Sequence, residues 1–406
     1  MKKWLLLLKD KSSWRYLLPL LILAGIARFA YLSVIVQPHS YPSNVDSIEH
    51  HLIAQNLVEG EGYTLYNHPT AYRAPFLTYY MAFCYGIFGV NFAIVRGGII
   101  LMSLILIWAI YQVGKELFNH RVGIWAALLA AIYPHFIFYN SRIFTETPFA
   151  LFSILALLFF IKFNKTHALK NLVTTAFFLA LAILTRPVGF VLLLFMLIHI
   201  LLRKSGWMNV KNATMLLLGV MMLISPWMVR NYLVFDRFVP VTTQGAVVAW
   251  VGNNHYVAHH PFLRGGHALY QYLPGARNLI TDSEVDRSHH AFKQVMNFIK
   301  KYPGDIPILI WNKTIRFWEK EFVTGSSRRW MYEFSYLFIV LLAGAGLALA
   351  FISKKSETVY LLLFFMANFI PALIFWSGAR IRFPAEPVLI LFAAFCLDKI
   401  GKRLRT

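Results

Sequence analysis

The sequence predicts an all-α polytopic membrane protein with about ten transmembrane helices. Three observations carry that expectation. Hydrophobic residues make up 58% of the 406-residue chain and charged residues only 14%, where a soluble domain carries nearer a quarter. The apolar residues gather into runs, most of them long enough to cross a hydrocarbon core. The basic residues between those runs alternate in a way that selects one threading.

In chain order, helices are expected at Tyr16–Val36, Phe92–Val113, Val122–Tyr139, Pro148–Ile161, Leu172–Leu184, Val188–Leu202, Ala213–Val234, Tyr332–Ile352, Val359–Trp376 and Pro384–Leu397. The first follows a basic start like that of a signal peptide. Its apolar run is long and no small-x-small site follows, so an uncleaved helix is expected. Pro187 interrupts one long apolar stretch and marks a turn between two helices. In the loop from Gln37 to Asn91, Ile48, Leu52, Ile53 and Leu57 recur at helical spacing just after Asp46, which predicts a helix lying on the membrane surface. Phe76–Gly89 is apolar and aromatic but too short to span, and reads as a second interfacial helix. The polar stretch 235–331 has helical periodicity at Asp282–Lys301 and Ile306–Trp318. The chain therefore divides into a membrane module at 1–234 with its loop at 37–91, a helical extracytoplasmic segment at 235–331, and closing membrane helices at 332–406. The glycines of "GVNFAIVRGG" and "LLAGAGLALA" lie inside apolar spans and read as helix-packing positions.

With the N-terminus in the cytoplasm, every short segment on that side is basic: Lys2 to Arg15, Lys115 with Arg121, Lys162 to Lys170, Arg203 to Lys211, Lys354 with Lys355, and Lys399 to Arg405. This positive-inside pattern accounts for the formal charge of +21 and removes the need for a nucleic-acid partner. The long polar segment translocates regardless of its lysines. Cys84 and Cys396 fall on opposite sides, so no disulfide joins them. A multi-pass protein of the inner (plasma) membrane is expected.

The outer helix ends and short outer loops carry Arg28, Arg73, Arg96, Arg142, Arg186, Arg230, Arg380 and Arg382, and no lysine. Guanidinium forks pair bidentately with phosphate oxygens and keep their charge beside a low-dielectric interface. The set suggests a phosphate held at the outer leaflet, although any one arginine can instead snorkel or bind a carbonyl. Acidic residues are scarce. Asp46, in "YPSNVDSIEHHLIAQNLVEGEGY", and Glu146, in "SRIFTETP", both face the same side; each is also a natural helix-start residue. A carboxylate can take a proton from an acceptor hydroxyl while arginines stabilise a departing phosphate. That chemistry is transfer of a glycosyl group from a lipid phosphate to a hydroxyl. His39, His50, His51 and His68 lie in the first outer loop and read by default as surface histidines. Asp46 and His50 are one helical turn apart, a spacing that allows a metal, but there is no HExxH. No cofactor is required, and a divalent cation has no further support. Nothing resembles a P-loop, which disfavours an ATP-driven pump.

Several segments, in order, carry a resemblance. They are "VDSIEHHLIAQNLVEGEGYT" with "YRAPFLTYYMAFCYGIFG", then "YPHFIFYNSRIFTETPFAL", "LAILTRPVGFVLL", "SPWMVRNYLVFDRFVPVTTQGAVVAWVGNN" and "SGARIRFPAEPVLILFAA". Together they resemble the GT-C glycosyltransferases, in the bacterial group of protein O-mannosyltransferases and the lipid A aminoarabinose transferase. The resemblance implies a polyprenyl-phosphate-linked sugar donor, an outer-face site and inversion at the anomeric carbon. It implies that Asp46 is the catalytic base and Glu146 the acidic residue of the second outer loop. It makes Arg186, Arg230, Arg380 and Arg382 the contacts for the donor phosphate, with Tyr72, His50 and Asn253 in the substrate groove. The chain departs from the aminoarabinose transferase at "AYRAPF", where Tyr72 and Arg73 replace a Glu-Lys pair. Its metal carboxylate is thus missing, and Arg73 can replace its lysine at the phosphate. The acceptor is a lipid A, glycan or protein hydroxyl, with recognition assigned by elimination to the segment 235–331.

Two other classes stay open. A ligase or polymerase of polysaccharide would share the arginine rim but use a pyrophosphate-linked donor. A transporter or flippase would place ionisable residues at broken helices near the midplane; here nearly all lie at helix ends.

Overall fold

The computed structural model describes residues 11–203, 206–274, 276, 283–320 and 329–403. Helices dominate. α1 (Lys11–Tyr31) runs on into a π-turn at Leu32–Val36. α2 (Val45–Glu59) starts where the Asn44 side chain accepts the Asp46 amide and ends at Gly60, whose φ of 89° only glycine takes freely. A two-stranded hairpin, β1 (Thr64–Leu65) and β2 (His68–Pro69), leads to α3 (Pro75–Phe88), with proline at its first position. α4 (Phe92–Leu117) and α5 (His120–Ile132) are capped by Asn91 and Asn119. α6 (Pro134–Asn140), α7 (Glu146–Thr166), α8 (Leu169–Thr185), α9 (Gly189–Leu201) and α10 (Trp207–Phe235) follow. The polar segment holds α11 (Gly245–Gly252), α12 (His255–His259), α13 (Glu284–Lys301) and α14 (Asp305–Trp318). α15 (Arg329–Ile352), α16 (Thr358–Ile374), α17 (Ala379–Arg382) and α18 (Glu386–Arg403) close the chain.

Each expected apolar segment is helical over most of its length, as are both interfacial segments and the periodic stretches of the polar segment at Glu284–Lys301 and Asp305–Trp318; Asp282 lies outside the described residues. One expectation needs correction. Val122–Tyr139 is not one straight helix: α5 and α6 meet at a bend of 62°. Pro134 has no N–H to donate and forces Tyr133 into extended backbone, so the helix stops and restarts. Among the described residues five helices are long and apolar enough to cross a membrane, or six if the bent pair is one span. The protein is a multi-pass membrane protein.

α7 is the centre of the bundle, almost entirely buried, and packs on α4 and α8. Glycines permit the closest approaches. A Cβ at Gly346 of α15 would collide with the Phe392 carbonyl of α18, and one at Gly98 with the Tyr80 hydroxyl. The two ends of the bundle differ chemically. One carries Lys165 on Glu116, Arg203 on Asn164, and Asn119 and Lys402 on Asp398. The other carries α2, α3, the starts of α7 and α18, the end of α8, and the polar segment. That segment has its own apolar core of Val247, Trp250, Val257, Ala268, Phe298 and Leu309. It is tied to the bundle where α14 packs on α16.

Candidate active site

At this second end, six side chains of alternating charge form one chain of ion pairs. Glu49 meets Arg73 at 2.5 Å, and Arg73 meets Asp46 at 2.7 Å. The other oxygen of Asp46 meets Arg380 at 2.7 Å. Arg380 then meets Glu146 at 2.5 Å, and Glu146 meets Arg186 at 2.9 Å. Local sequence explains the positions. Asn44 does the capping of α2, which leaves the Asp46 carboxylate free to face outward from the first turn. Glu146 is the first residue of α7, where a carboxylate is favoured by the helix dipole. Arg186 follows the last residue of α8, and Arg380 sits in α17 ahead of α18.

The three carboxylates are not equivalent. Glu146 is completely enclosed and Glu49 nearly so, whereas the Asp46 side chain is 31% exposed. Only Asp46 can meet an incoming molecule directly. Burial acts to raise its pKa, but Arg73 and Arg380 overcome that and hold it below the usual carboxylate range. At Glu49 burial outweighs Arg73 and the pKa is raised. Burial opposes the charge of Arg380, but Glu146 and Asp46 hold its pKa above the usual value. Three guanidinium groups balance three carboxylates. Both Asp46 oxygens are engaged by guanidinium groups.

The residues expected at the site divide. Asp46, Glu146, Arg73, Arg186 and Arg380 are brought together, and Tyr72 lies under the Arg73 guanidinium, 5.2 Å from its ring centre. Arg230 is elsewhere: it donates to the carbonyls of Thr70 and Tyr63 at 2.7 and 3.0 Å, bracing the hairpin. Arg382 is fully enclosed, paired with Glu386 at 3.0 Å and bonded to the Phe317 and Glu319 carbonyls. Neither presents a free fork to a phosphate. Arg28 and Arg96 likewise bind carbonyls. Asn253 accepts from Lys313 at 2.6 Å and donates to the Ile374 carbonyl, joining α11, α14 and α16.

His39 and His68 are exposed as expected, but two of the four loop histidines are not. His50 and His51 are not on the surface: α2 turns them onto α3, where they bond Thr78 and Tyr85 at 2.7 and 3.0 Å. Burial, aided by Arg73, pushes His50 down to about 3, so it is neutral at working pH. Glu49 was not singled out by sequence reasoning. Its signal was its place three residues after Asp46, on the same helix face.

Two cavities lie at this end of the bundle. One, of about 270 Å³, is lined by Arg380, Trp376, His267, Arg316 and Glu319. The other, of about 540 Å³, is an apolar groove between α3, α8 and α10, lined by Phe76, Tyr79, Phe83, Leu223 and Trp227 with Arg230 on its wall. It begins at Pro75, two residues after Arg73.

Residues 67–229 match the dolichyl-phosphate-mannose-protein mannosyltransferase family. The fold is similar to that of the oligosaccharyltransferase AglB from Archaeoglobus fulgidus in complex with an inhibitory peptide and a dolichol-phosphate. That likeness has a TM-score of 0.58 at 16% identity and covers 96% of this chain but 51% of the archaeal one. The same enzyme in complex with zinc and sulfate gives a TM-score of 0.55 at 15% identity, with coverage of 95% and 49%. ArnT from Cupriavidus metallidurans, bound to undecaprenyl phosphate, gives 0.48 at 12% identity, covering 96% of this chain and 78% of its own. No curated protein matches in sequence. The fold is the GT-C fold, and this chain spans about half the length of the archaeal enzyme.

Proposed function

We propose that this chain is an inverting GT-C glycosyltransferase that moves a sugar from a polyprenyl-phosphate donor to an acceptor hydroxyl at the extracytoplasmic face. The observation that carries the reading is Asp46, a partly open carboxylate with one guanidinium on each oxygen, beside a cavity that Arg380 lines. So bound, Asp46 is a poor base. The arriving donor phosphate competes for Arg380, whose fork fits phosphate as well as carboxylate. Engagement of Arg380 by phosphate releases one Asp46 oxygen and raises its proton affinity. The acceptor hydroxyl then gives its proton to that oxygen as its own oxygen attacks the anomeric carbon. The bond from that carbon to the phosphate oxygen breaks on the opposite face, and the phosphate keeps the electron pair. Arg380, Arg186 and Arg73 stabilise the charge, so no general acid is needed. Glu146 acts as a positioning residue that holds Arg186 and Arg380 together.

The apolar groove beside Arg73 suits a polyprenyl tail entering sideways from the bilayer, since such a chain does not cross water. The absence of lysine from the helix ends and short loops at this end of the bundle supports the sidedness. No step calls for a metal. The polar segment 235–331, which walls the smaller cavity with His267, Arg316 and Glu319, supplies acceptor recognition.

The test is turnover with a panel of polyprenyl-monophosphate and polyprenyl-pyrophosphate sugars, reading the lipid released. Release of polyprenyl monophosphate supports the reading. Turnover confined to pyrophosphate donors would make the protein a ligase or polymerase instead, and movement of donor across the membrane without release would make it a flippase.

A further inference from the structure

A second polar cluster lies within the polar segment and shares no residue with the site above. His255 and His259 stand at the two ends of α12, one helical turn apart. Nδ1 of His255 is 2.7 Å from one oxygen of Asp305, and Nε2 of His259 is 2.9 Å from the other. These donor atoms all lie within 4.8 Å of one another. Three ligands each about 2.0 Å from a common zinc sit about 3.3 Å apart in a tetrahedron, so small rotations of the three side chains would admit the ion.

We propose that His255, His259 and Asp305 bind one zinc ion. The arrangement is held from outside. Asn254 caps α12, accepting from the Val257 amide at 2.8 Å and donating to the Trp250 carbonyl at 3.0 Å. Tyr302 stacks on the His255 ring at 4.6 Å, fixing its plane. The Asp305 side chain is only 11% exposed while both imidazoles are about half exposed, so the carboxylate is fixed and the open side faces solvent. Two nitrogens and one oxygen are a ligand set that zinc accepts, with the fourth position left to water. The ion would pin α12 to the first turn of α14. α14 carries Arg316, which lines the smaller cavity and donates to the carbonyls of Phe262 and Arg264. Zinc would therefore stiffen that wall of the cavity without touching the carboxylate–arginine cluster.

The full chain in detergent, stripped with chelator, is titrated with zinc by calorimetry, with elemental analysis of the gel-filtered product and thermal unfolding in parallel. The expected result is one zinc per chain and a thermal midpoint raised by zinc and lowered again by chelator. His259→Ala and Asp305→Asn should each weaken binding at least about tenfold, while His260→Ala leaves it unchanged. If His259→Ala does not fold, His255→Gln serves, since that ring is half exposed. No zinc bound, equal binding by the ligand variants, or stabilisation by mild acid alone would overturn the site; the last would mark a proton-linked ion pair.

Discussion

At the scale of single residues, the arginines show what one side chain can and cannot reveal. Eight of them at one end of the bundle suggest phosphate; Arg73, Arg186, Arg380 and Arg382 end on carboxylates, Arg28, Arg96 and Arg230 bind carbonyls, and Arg142 lies over the Phe138 ring. The residue type was legible; the partner was not, because carboxylates, carbonyls and phosphates offer the same oxygen lone pairs. Asp46 was legible through its surroundings, Glu49 only through its spacing. Arg380→Lys tests the role of the fork. A single ammonium lacks the planar, paired donors with which the guanidinium grips phosphate bidentately while keeping Glu146, so donor affinity should fall about tenfold or more with the chain still folded, read by donor binding. Arg230→Ala should behave oppositely. It leaves the Thr70 and Tyr63 carbonyls without their donor, so it should lower the thermal midpoint more than it lowers donor affinity.

At the scale of elements, apolar runs predicted the helices well because burial in lipid demands them. The bend at Pro134 was visible as a proline, but its angle is set by packing against neighbours. Gly346 tests that packing. Gly346→Ala drives a methyl into the Phe392 carbonyl, forcing α15 off α18 at a cost of about 1–3 kcal/mol, read as a fall in the thermal midpoint. Lys313 tests the joint between α14 and α16. It is fully enclosed and donates to Asn253 and to the Leu373 carbonyl, and burial pushes its pKa down to about 7. The unfolded chain, with a pKa of about 10.4, binds this proton more tightly, so stability should rise with pH from about 7 to about 10. Lys313→Met should flatten that rise in a series of thermal midpoints against pH. Sequence reasoning had no signal for it: one lysine among many in a polar segment looks solvated until the fold encloses it.

At the scale of the whole molecule, charge predicts the threading and the fold separates the two ends. Lys115, Lys165 and Lys402, far apart in sequence, belong to the end opposite the carboxylate–arginine cluster. What composition could not supply was the convergence of the starts of α2, α7 and α18 with the end of α8, which depends on how the helices pack. Sidedness is checked with single cysteines. At His68 a membrane-impermeant thiol reagent should label intact cells; at Lys165 labelling should wait for permeabilisation. The reverse pattern would place the site in the cytoplasm.

The central claim is that Asp46 is the base released when donor phosphate engages Arg380. It is tested most directly by measuring donor binding and single turnover side by side for wild type and Asp46→Asn. Arg73 keeps Glu49 and Arg380 keeps Glu146 in the variant, so it should fold, insert and bind donor at least as tightly, because the competing carboxylate is gone. Turnover should fall by a factor of about 100 to 10,000. Turnover close to wild type would show that the proton goes elsewhere, and loss of donor binding would show that Asp46 holds the substrate instead of competing with it.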